Sequence, residues 1–477
     1  MNANKWFSAP LFTLCLCILP VWGEGLQSWI DDPLRAQPVQ LQGGVTLPDA
    51  SQVSCMAAVD FSQPLELRDA VDTALCNNLQ IRATWAQIKA QSGVLGEARA
   101  AYLPTISGSV SRLRNTTTYG SGSREPGTSS TGNQYYGSLN WRLFDFGGRA
   151  ANREEANQML LSAIAGHDAS LQKTMAAVIQ AWFEVATSQA VMTAREQISQ
   201  LAQQTLDVAQ RREQKGASSQ DDTLQASTAL AKAELNKMRA QGDYLKNLAL
   251  LKQAMAIDLN TPVSLPPQPE RVIPADIHEL GRWLKEAEAR HPAIQQARAK
   301  WLADREKITV TRSEGLPTAD LTAHISRNGF PNQGLSTINQ TSRDIGITVS
   351  IPLFEGFSRN YKIMEARAQA EQSEAQMEET TTQILTDVVK AYADAKTAVG
   401  VLTASERLLN AAQASVASAK RRYANSVADI LEVLNAQSSL ADAQQQRIEA
   451  IAQWRSARLS LLANTGILSQ LSGTADE

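Results

Sequence analysis

Two kinds of hydrophobic pattern follow one another along the chain, and each of them occurs twice. Between Pro126 and Pro262, and again after Pro352, proline is absent and apolar residues recur at spacings of three and four. That periodicity is typical of amphipathic helices. The pattern predicts long helices over residues 149–215 and 359–423, each on the order of 100 Å long at about 1.5 Å per residue. No ordinary globular core needs helices of that length.

The second pattern is strict alternation of apolar and polar residues, which predicts four strands. The weakest of them follows Pro104, and the others cover residues 137–143, 319–326 and 345–353. Each is about ten residues long, close to the length that crosses a bilayer when tilted. A half-buried sheet under a helix has the same period. Two features favour the membrane: the loops expected at 115–133 and 328–343 are long and polar, and the other strand ends run directly into helices.

Four strands cannot close a membrane sheet, because open strand edges are not tolerated in lipid. The smallest membrane barrels have about eight strands. Two or more chains would therefore have to share one barrel, and the helices attached to the strands would continue it as a tube. The predicted fold is mainly α with a small β part.

The chain also repeats itself. Leu103-Pro104-Thr105 recurs as Leu316-Pro317-Thr318, and Leu143-Phe144 recurs as Leu353-Phe354, about 210 residues later, which indicates an internal duplication. A cluster of prolines separates the two copies. The predicted organisation is a signal peptide (1–23), a polar N-terminal extension (24–63), a first repeat (64–258), a Pro-rich linker (259–276), a second repeat (277–466) and a tail (467–477).

The first residues predict export. Lys5 precedes an apolar run that is short for a membrane span, so cleavage near Gly23 is favoured over an anchor. Beyond that leader only Cys55 and Cys76 remain, and in an oxidising compartment they suggest one disulfide, with two free thiols as the alternative. No later segment approaches about 18 consecutive apolar residues.

Composition and motifs favour a passive protein. The formal net charge of −3 offers no basic surface for nucleic acid. The four histidines are dispersed, and no phosphate-binding loop or nucleophile elbow occurs. We therefore expect no enzyme activity, no metal and no cofactor.

These elements together resemble the TolC family of bacterial outer-membrane export ducts, from about residue 64 to 466. The resemblance rests on the duplicated Leu-Pro strand entries, on Leu143-Phe144-Asp145 and Leu353-Phe354-Glu355, on Arg290-His291-Pro292, and on the stretch 421–440. It implies a homotrimer with a shared twelve-stranded barrel and a long α-helical barrel in the periplasm. It also implies docking to a periplasmic adaptor (a membrane fusion protein) and an inner-membrane pump.

The resemblance also implies a pore constriction at the periplasmic tip. The positions that match the family's acidic rings are Glu432 and Asn435 in the second repeat and Asp222, with Gln225 one turn on, in the first. Tyr423 matches a tyrosine whose contacts hold the tip closed. Ala428 stands where an arginine latch is expected. From the residues alone, Asp222 lies at a helix start, where capping is an equal alternative to pore lining.

The preferred function is therefore an outer-membrane exit duct for type I protein secretion, working with an ABC transporter. One alternative is small-molecule efflux with a proton-driven pump, and another is a periplasmic coiled-coil scaffold. Outer-membrane lipid is an implied partner, and nucleic acid is not.

Overall fold

The computed structural model describes residues 32–38, 55, 60–118, 127–266, 279–328, 340–425 and 427–466. The predicted signal peptide and tail, most of the N-terminal extension, and linker residues 267–276 lie outside the described residues.

Two copies of the same series of elements follow one another: two helices, two strands, a long helix and a shorter helix. In the first copy these are α1 (Leu67–Asn77), α2 (Leu79–Ala100), β1 (Thr105–Thr118), β2 (Gly127–Phe144), α3 (Gly148–Gln214) and α4 (Gln220–Ala254). In the second they are α5 (Leu280–Arg290), α6 (Pro292–Ser313), β3 (Thr318–Asn328), β4 (Gln340–Ser350), α7 (Ser358–Ala424) and α8 (Ile430–Thr465).

The two long helices confirm the prediction to within a residue at each end. Both α3 and α7 have 67 residues. Each packs along its own hairpin partner, α4 or α8, and α3 also lies against α2, α6 and α8. Many of the buried positions are alanine or serine, which allows helix axes to approach closely. One buried cluster surrounds Trp182, whose indole Nε1–H donates to the Leu65 carbonyl over 3.2 Å.

The sheet is antiparallel with the order β1-β2-β3-β4, so the duplicated hairpins lie side by side. The first predicted loop, 115–133, was wrong in extent, because β1 continues to Thr118 and β2 starts at Gly127. Threonine recurs in both strand extensions, and it suits a paired hairpin even where neither face is apolar. The fourth strand also ends earlier than predicted, at Ser350. Pro352 follows, and proline has no N–H to donate to a strand ladder.

The two strand-to-helix junctions have the same left-handed backbone conformation at two successive residues. One junction has Phe followed by Gly, and the other has Gly followed by Phe. In the first, Phe146 and Gly147 have φ of 51° and 88°; in the second, Gly356 and Phe357 have φ of 60° and 63°. Left-handed backbone is readily adopted by glycine and costly for phenylalanine. Each junction therefore places one glycine and one phenylalanine in this region, in opposite order. An acid and an arginine follow the same plan: Asp145 bonds Arg149 over 2.9 Å, and Glu355 bonds Arg359 over 2.6 Å.

The N-terminal side of the molecule is tied to the first repeat by a disulfide. The structure joins Cys55 to Cys76, near the end of α1, with the Cα atoms 5.5 Å apart. The next helices begin at well-capped positions in both repeats. Asn78 accepts from the Gln80 amide, and His291 accepts through Nδ1 from the Ala293 amide. Burial lowers the pKa of His291, which favours the neutral ring that can accept this bond.

Candidate pore constriction at the helical tip

The tip of the molecule consists of two tight turns, one between α3 and α4 and one between α7 and α8. In the first, Gly216 has φ of 71°, and its N–H donates to the Glu213 carbonyl over 2.8 Å. A left-handed glycine immediately after a helix is a common way to end it. The next helix starts with Ser219, whose hydroxyl accepts from the Asp222 amide over 3.3 Å. The second turn uses Asp429 in the same place, accepting from the Glu432 amide over 2.9 Å.

The four predicted constriction residues occupy equivalent positions in the two hairpins. Asp222 and Glu432 lie in the first turns of α4 and α8, and Gln225 and Asn435 lie one turn further. Three of them are half-buried in the single chain, while Asn435 is exposed. The caps are supplied by Ser219 and Asp429, not by the two acids themselves. Both carboxylates therefore remain available for other interactions, and both gain from the positive end of a helix dipole.

Glu432 forms an ion pair with Arg422, a residue of its own hairpin. The Arg422 guanidinium donates to its Oε1 over 2.6 Å, and both side chains are partly exposed. The corresponding Asp222 forms no ion pair among the described residues. The two predicted acids thus differ: one is compensated by a neighbouring cation, and the other contributes a fuller negative charge.

Tyr423 lies between the two hairpins, and its side chain is only 6% exposed. Arg212, at the end of α3, covers the ring at 4.6 Å from its centroid and donates to the Tyr423 carbonyl over 2.6 Å. The pKa of Tyr423 is raised above its ordinary value, chiefly by burial of the phenol. The positive charge of Arg212 opposes this shift, and the negative charge of Asp222 adds to it. Asp222 is therefore close enough for its charge to act on the phenol. The tyrosine hydroxyl has no hydrogen-bond partner among the described residues.

Further polar contacts connect the hairpins above the turns. Gln437 Nε2 of α8 donates to the Thr205 hydroxyl of α3 over 2.7 Å, and both groups are buried. Within the first hairpin, the Thr223 hydroxyl donates to the Glu213 carboxylate over 2.6 Å. Buried, satisfied hydrogen bonds of this kind favour one register between packed helices.

Sequence reasoning missed Arg212 and Arg422, which hold Tyr423 and Glu432 in this arrangement. The Arg-Arg pairs at 211–212 and 421–422 are visible as repeated residues in the sequence. Their roles depend on which helix each side chain contacts. The sequence alone shows that the two pairs are repeated, but not what each arginine binds. Ala428, in the expected latch position, is half-buried beside the second turn.

Comparison with known proteins decides the family. The model of the family described as "Outer membrane efflux protein" matches residues 70–256 and 283–466, which covers both repeats. The chain belongs to the outer membrane efflux protein family. A relative, Protein CyaE of Bordetella pertussis, is 34% identical over 440 residues, covering 91% of this chain and 92% of that protein.

Two further similarities extend the picture. The Proteases secretion protein PrtF of Dickeya chrysanthemi is 22% identical over 422 residues, covering 86% of this chain and 90% of that protein. Among solved structures, the outer membrane protein VceC of Vibrio cholerae superposes with a TM-score of 0.73 at 19% identity, covering 84% of this chain and 96% of that one. The second similarity shows the fold alone.

Membership of the outer membrane efflux protein family establishes the general role. The chain is an outer-membrane export duct and not an enzyme, and its helical part lies in the periplasm. Ducts of this family are homotrimers that work with adaptor proteins and inner-membrane transporters. Over the described residues, no helix is both long enough and apolar enough to cross a membrane.

Proposed function

We propose that three copies of this chain form one exit duct for type I protein secretion. The observation that carries the proposal is the sheet: β1 and β4 are its outer strands, and neither has a further strand partner among the described residues. In lipid those edges must be paired. Three chains would supply twelve strands, enough for a closed barrel, and their α3–α4 and α7–α8 hairpins would stand below it as a tube.

The proposed partners are a periplasmic adaptor and an inner-membrane ABC transporter. Secretion of a protein is preferred because PrtF, matched over most of both chains, is named for protease secretion. The family's own description, an efflux protein, keeps drug efflux with a proton-driven pump as the second candidate. A periplasmic scaffold is not favoured, because the chain belongs to an outer-membrane family.

Deleting the gene in its native host tests the choice between these functions. We expect the secreted protein encoded beside a neighbouring ABC transporter to remain inside the cell, and the plasmid-borne gene to restore export. Unchanged protein export together with increased drug susceptibility would favour efflux. Native mass spectrometry of the detergent-extracted protein is expected to show three copies, and a monomer would contradict the shared barrel.

We further propose that Asp222 and Glu432 line the narrowest part of the duct, with Gln225 and Asn435 one turn on and Tyr423 stabilising the closed tip. Three copies of the two acids would concentrate negative potential in a narrow opening. Glu432→Ala and Asp222→Ala should each reduce cation preference and block by divalent cations in planar bilayers. Since Arg422 already compensates Glu432, Asp222→Ala is expected to have the larger effect. Unchanged selectivity in both variants would contradict this lining.

A further inference from the structure

The two faces of the sheet differ sharply in chemistry. Most of its exposed large apolar side chains share one face, among them Ile106, Val110, Trp141, Ile325, Ile345 and Ile347. The other face carries hydroxyls, amides and charges, including the Arg142–Asp320 pair at 2.9 Å. In an outer-membrane barrel the apolar face contacts lipid and the polar face lines the lumen. The apolar face is therefore the outward one.

On three of the four strands the outward series changes abruptly from apolar residues to arginine. On β1, Val110 is followed at the next outward positions by Arg112 and Arg114. On β3, Ile325 is followed by Arg327. On β4, Arg343 lies directly beyond Ile345. We name these four residues, Arg112, Arg114, Arg327 and Arg343, the arginine collar.

Among the described strand residues, no acid lies on the same face as the arginine collar. The carboxylates of the described strand residues, Asp320 and Asp344, occupy positions that face the lumen. All four collar side chains are exposed. None of them forms an ion pair within the described part of the chain, and Arg114 donates only to the Ser129 hydroxyl, over 3.2 Å. The charged side chains of the described outward strand positions are thus all arginines.

The collar lies at the end of the sheet opposite the helices. Since the helices are periplasmic, this end meets the outer leaflet of the membrane. Tyr135 is the neighbour of Arg327 across the β2–β3 pair and is outward and exposed, as expected for an aromatic side chain at a lipid–water interface. The arginine stems can lie along the apolar band while their guanidinium groups reach the headgroups.

We propose that the arginine collar binds the phosphate groups of the outer-leaflet glycolipid. Guanidinium groups bind phosphate oxygens in a bidentate manner and remain charged at any physiological pH. Four arginines in each chain that form no ion pair among the described residues give this surface a positive charge, which favours an anionic headgroup over a neutral one. The collar would hold a fixed shell of that lipid around the duct and set its depth in the membrane.

The test uses the full-length protein purified in detergent and incubated with lipid A, the diphosphorylated anchor of the outer-leaflet glycolipid. Native mass spectrometry counts the bound lipid, with phosphatidylglycerol and phosphatidylcholine as separate probes. We expect binding in the order lipid A, phosphatidylglycerol, phosphatidylcholine. The variant R112Q/R114Q/R327Q/R343Q should bind lipid A at least about tenfold less tightly, because each basic residue near an anionic surface contributes appreciably.

A matched variant, R68Q/R82Q/K89Q/K232Q, removes the same charge from exposed positions on the periplasmic helices and should bind lipid A like the unmodified protein. Should the fourfold collar variant fail to assemble, R112Q/R114Q and R327Q/R343Q are each expected to show partial loss. The collar variants should keep the single-channel conductance, because their side chains face away from the lumen. Equal binding by collar and control variants, equal binding of phosphatidylglycerol and lipid A, or altered conductance without lost binding would overturn the proposal.

Discussion

The two tip hairpins have the same backbone plan and use it differently. In α3–α4 and α7–α8 the long helices have equal length, and the caps stand at equivalent positions, Ser219 and Asp429. Arg212 and Arg422 are also equivalent, yet Arg212 reaches across to Tyr423 while Arg422 stays within its own hairpin and pairs with Glu432. Because the two hairpins pack against each other, equivalent places in the repeat face different neighbours.

The same divergence recurs higher in the helices. Lys237 pairs with Glu196 over 2.9 Å at a partly exposed site. Its counterpart Arg447 is buried, donates to the Leu402 carbonyl over 2.7 Å, and lies 3.7 Å from Glu406. A duplicated ion pair has thus become a surface contact in one half and an internal helix–helix bond in the other.

The comparison is sharpest where α3 packs against α2. His167 is 3% exposed, its Nδ1 lies 2.9 Å from the Thr84 hydroxyl, and its ring is 5.1 Å from that of Trp85. The counterpart in α7 is Met377, which does not titrate. Burial lowers the pKa of His167 to about 4 and raises the pKa of its neighbour Asp168 to about 6. The equivalent second-half positions hold no buried titratable pair, because Glu378, the counterpart of Asp168, is exposed.

The largest expected effect concerns His167. Its folded pKa lies below the ordinary value, so the stability that it contributes is present above about pH 6.5 and is lost as pH falls towards 4. The loss is about 3 kcal/mol at pH 4 from a pKa difference of that size. Asp168 acts in the opposite sense, because its raised pKa makes the fold gain stability as pH falls through 6.

We therefore expect His167→Gln to gain stability relative to the unmodified protein as pH falls from 7 to 4, and Asp168→Asn to lose it. Thermal unfolding of the detergent-solubilised protein at several pH values measures both trends. Glu378→Gln, at the exposed second-half counterpart of Asp168, serves as the control for removing a carboxylate from a long helix. Identical profiles for all three variants would remove this difference between the halves.

The next effect concerns the duplicated ion pair. Arg447→Ala removes a charged donor from a buried carbonyl, which is expected to cost about 2 kcal/mol. Lys237→Ala removes a partly exposed surface pair, which is expected to cost less than about 1 kcal/mol. Denaturant unfolding monitored by helical circular dichroism measures both. Equal losses would show that the two pairs remain energetically alike despite their different burial.

The effects expected at the tip are local, and the smallest of all is that of Arg422→Ala. Arg212→Ala loses a cation–π contact and a hydrogen bond to Tyr423, and local loosening of about 1–2 kcal/mol should follow. Arg422→Ala loses a partly exposed pair of about 0.5 kcal/mol. Limited proteolysis at the turns should therefore be faster in the first variant, and its channel should open more often in planar bilayers. Faster proteolysis of Arg422→Ala than of Arg212→Ala would contradict the larger stabilising role given to Arg212.

Much of this molecule follows from local pattern. Spacings of three and four in proline-free tracts predicted both long helices to within a residue, because helix length and amphipathicity are properties of the sequence itself. Alternation predicted four strands, and the duplicated Leu-Pro and Leu-Phe-acid motifs predicted the repeat. Polar pairing hid the true ends of β1 and β2, since a two-sided polar strand has no hydrophobic period to read.

The roles of individual side chains needed the tertiary structure. Arg212 and Arg422 are indistinguishable in sequence, and only the packing of one hairpin on the other decides which of them meets Tyr423. The arginine collar is likewise four scattered residues until the register of three strand pairs places them on one face. Periodicity is a local property of the chain, whereas partners, burial and facing depend on contacts between segments far apart in sequence.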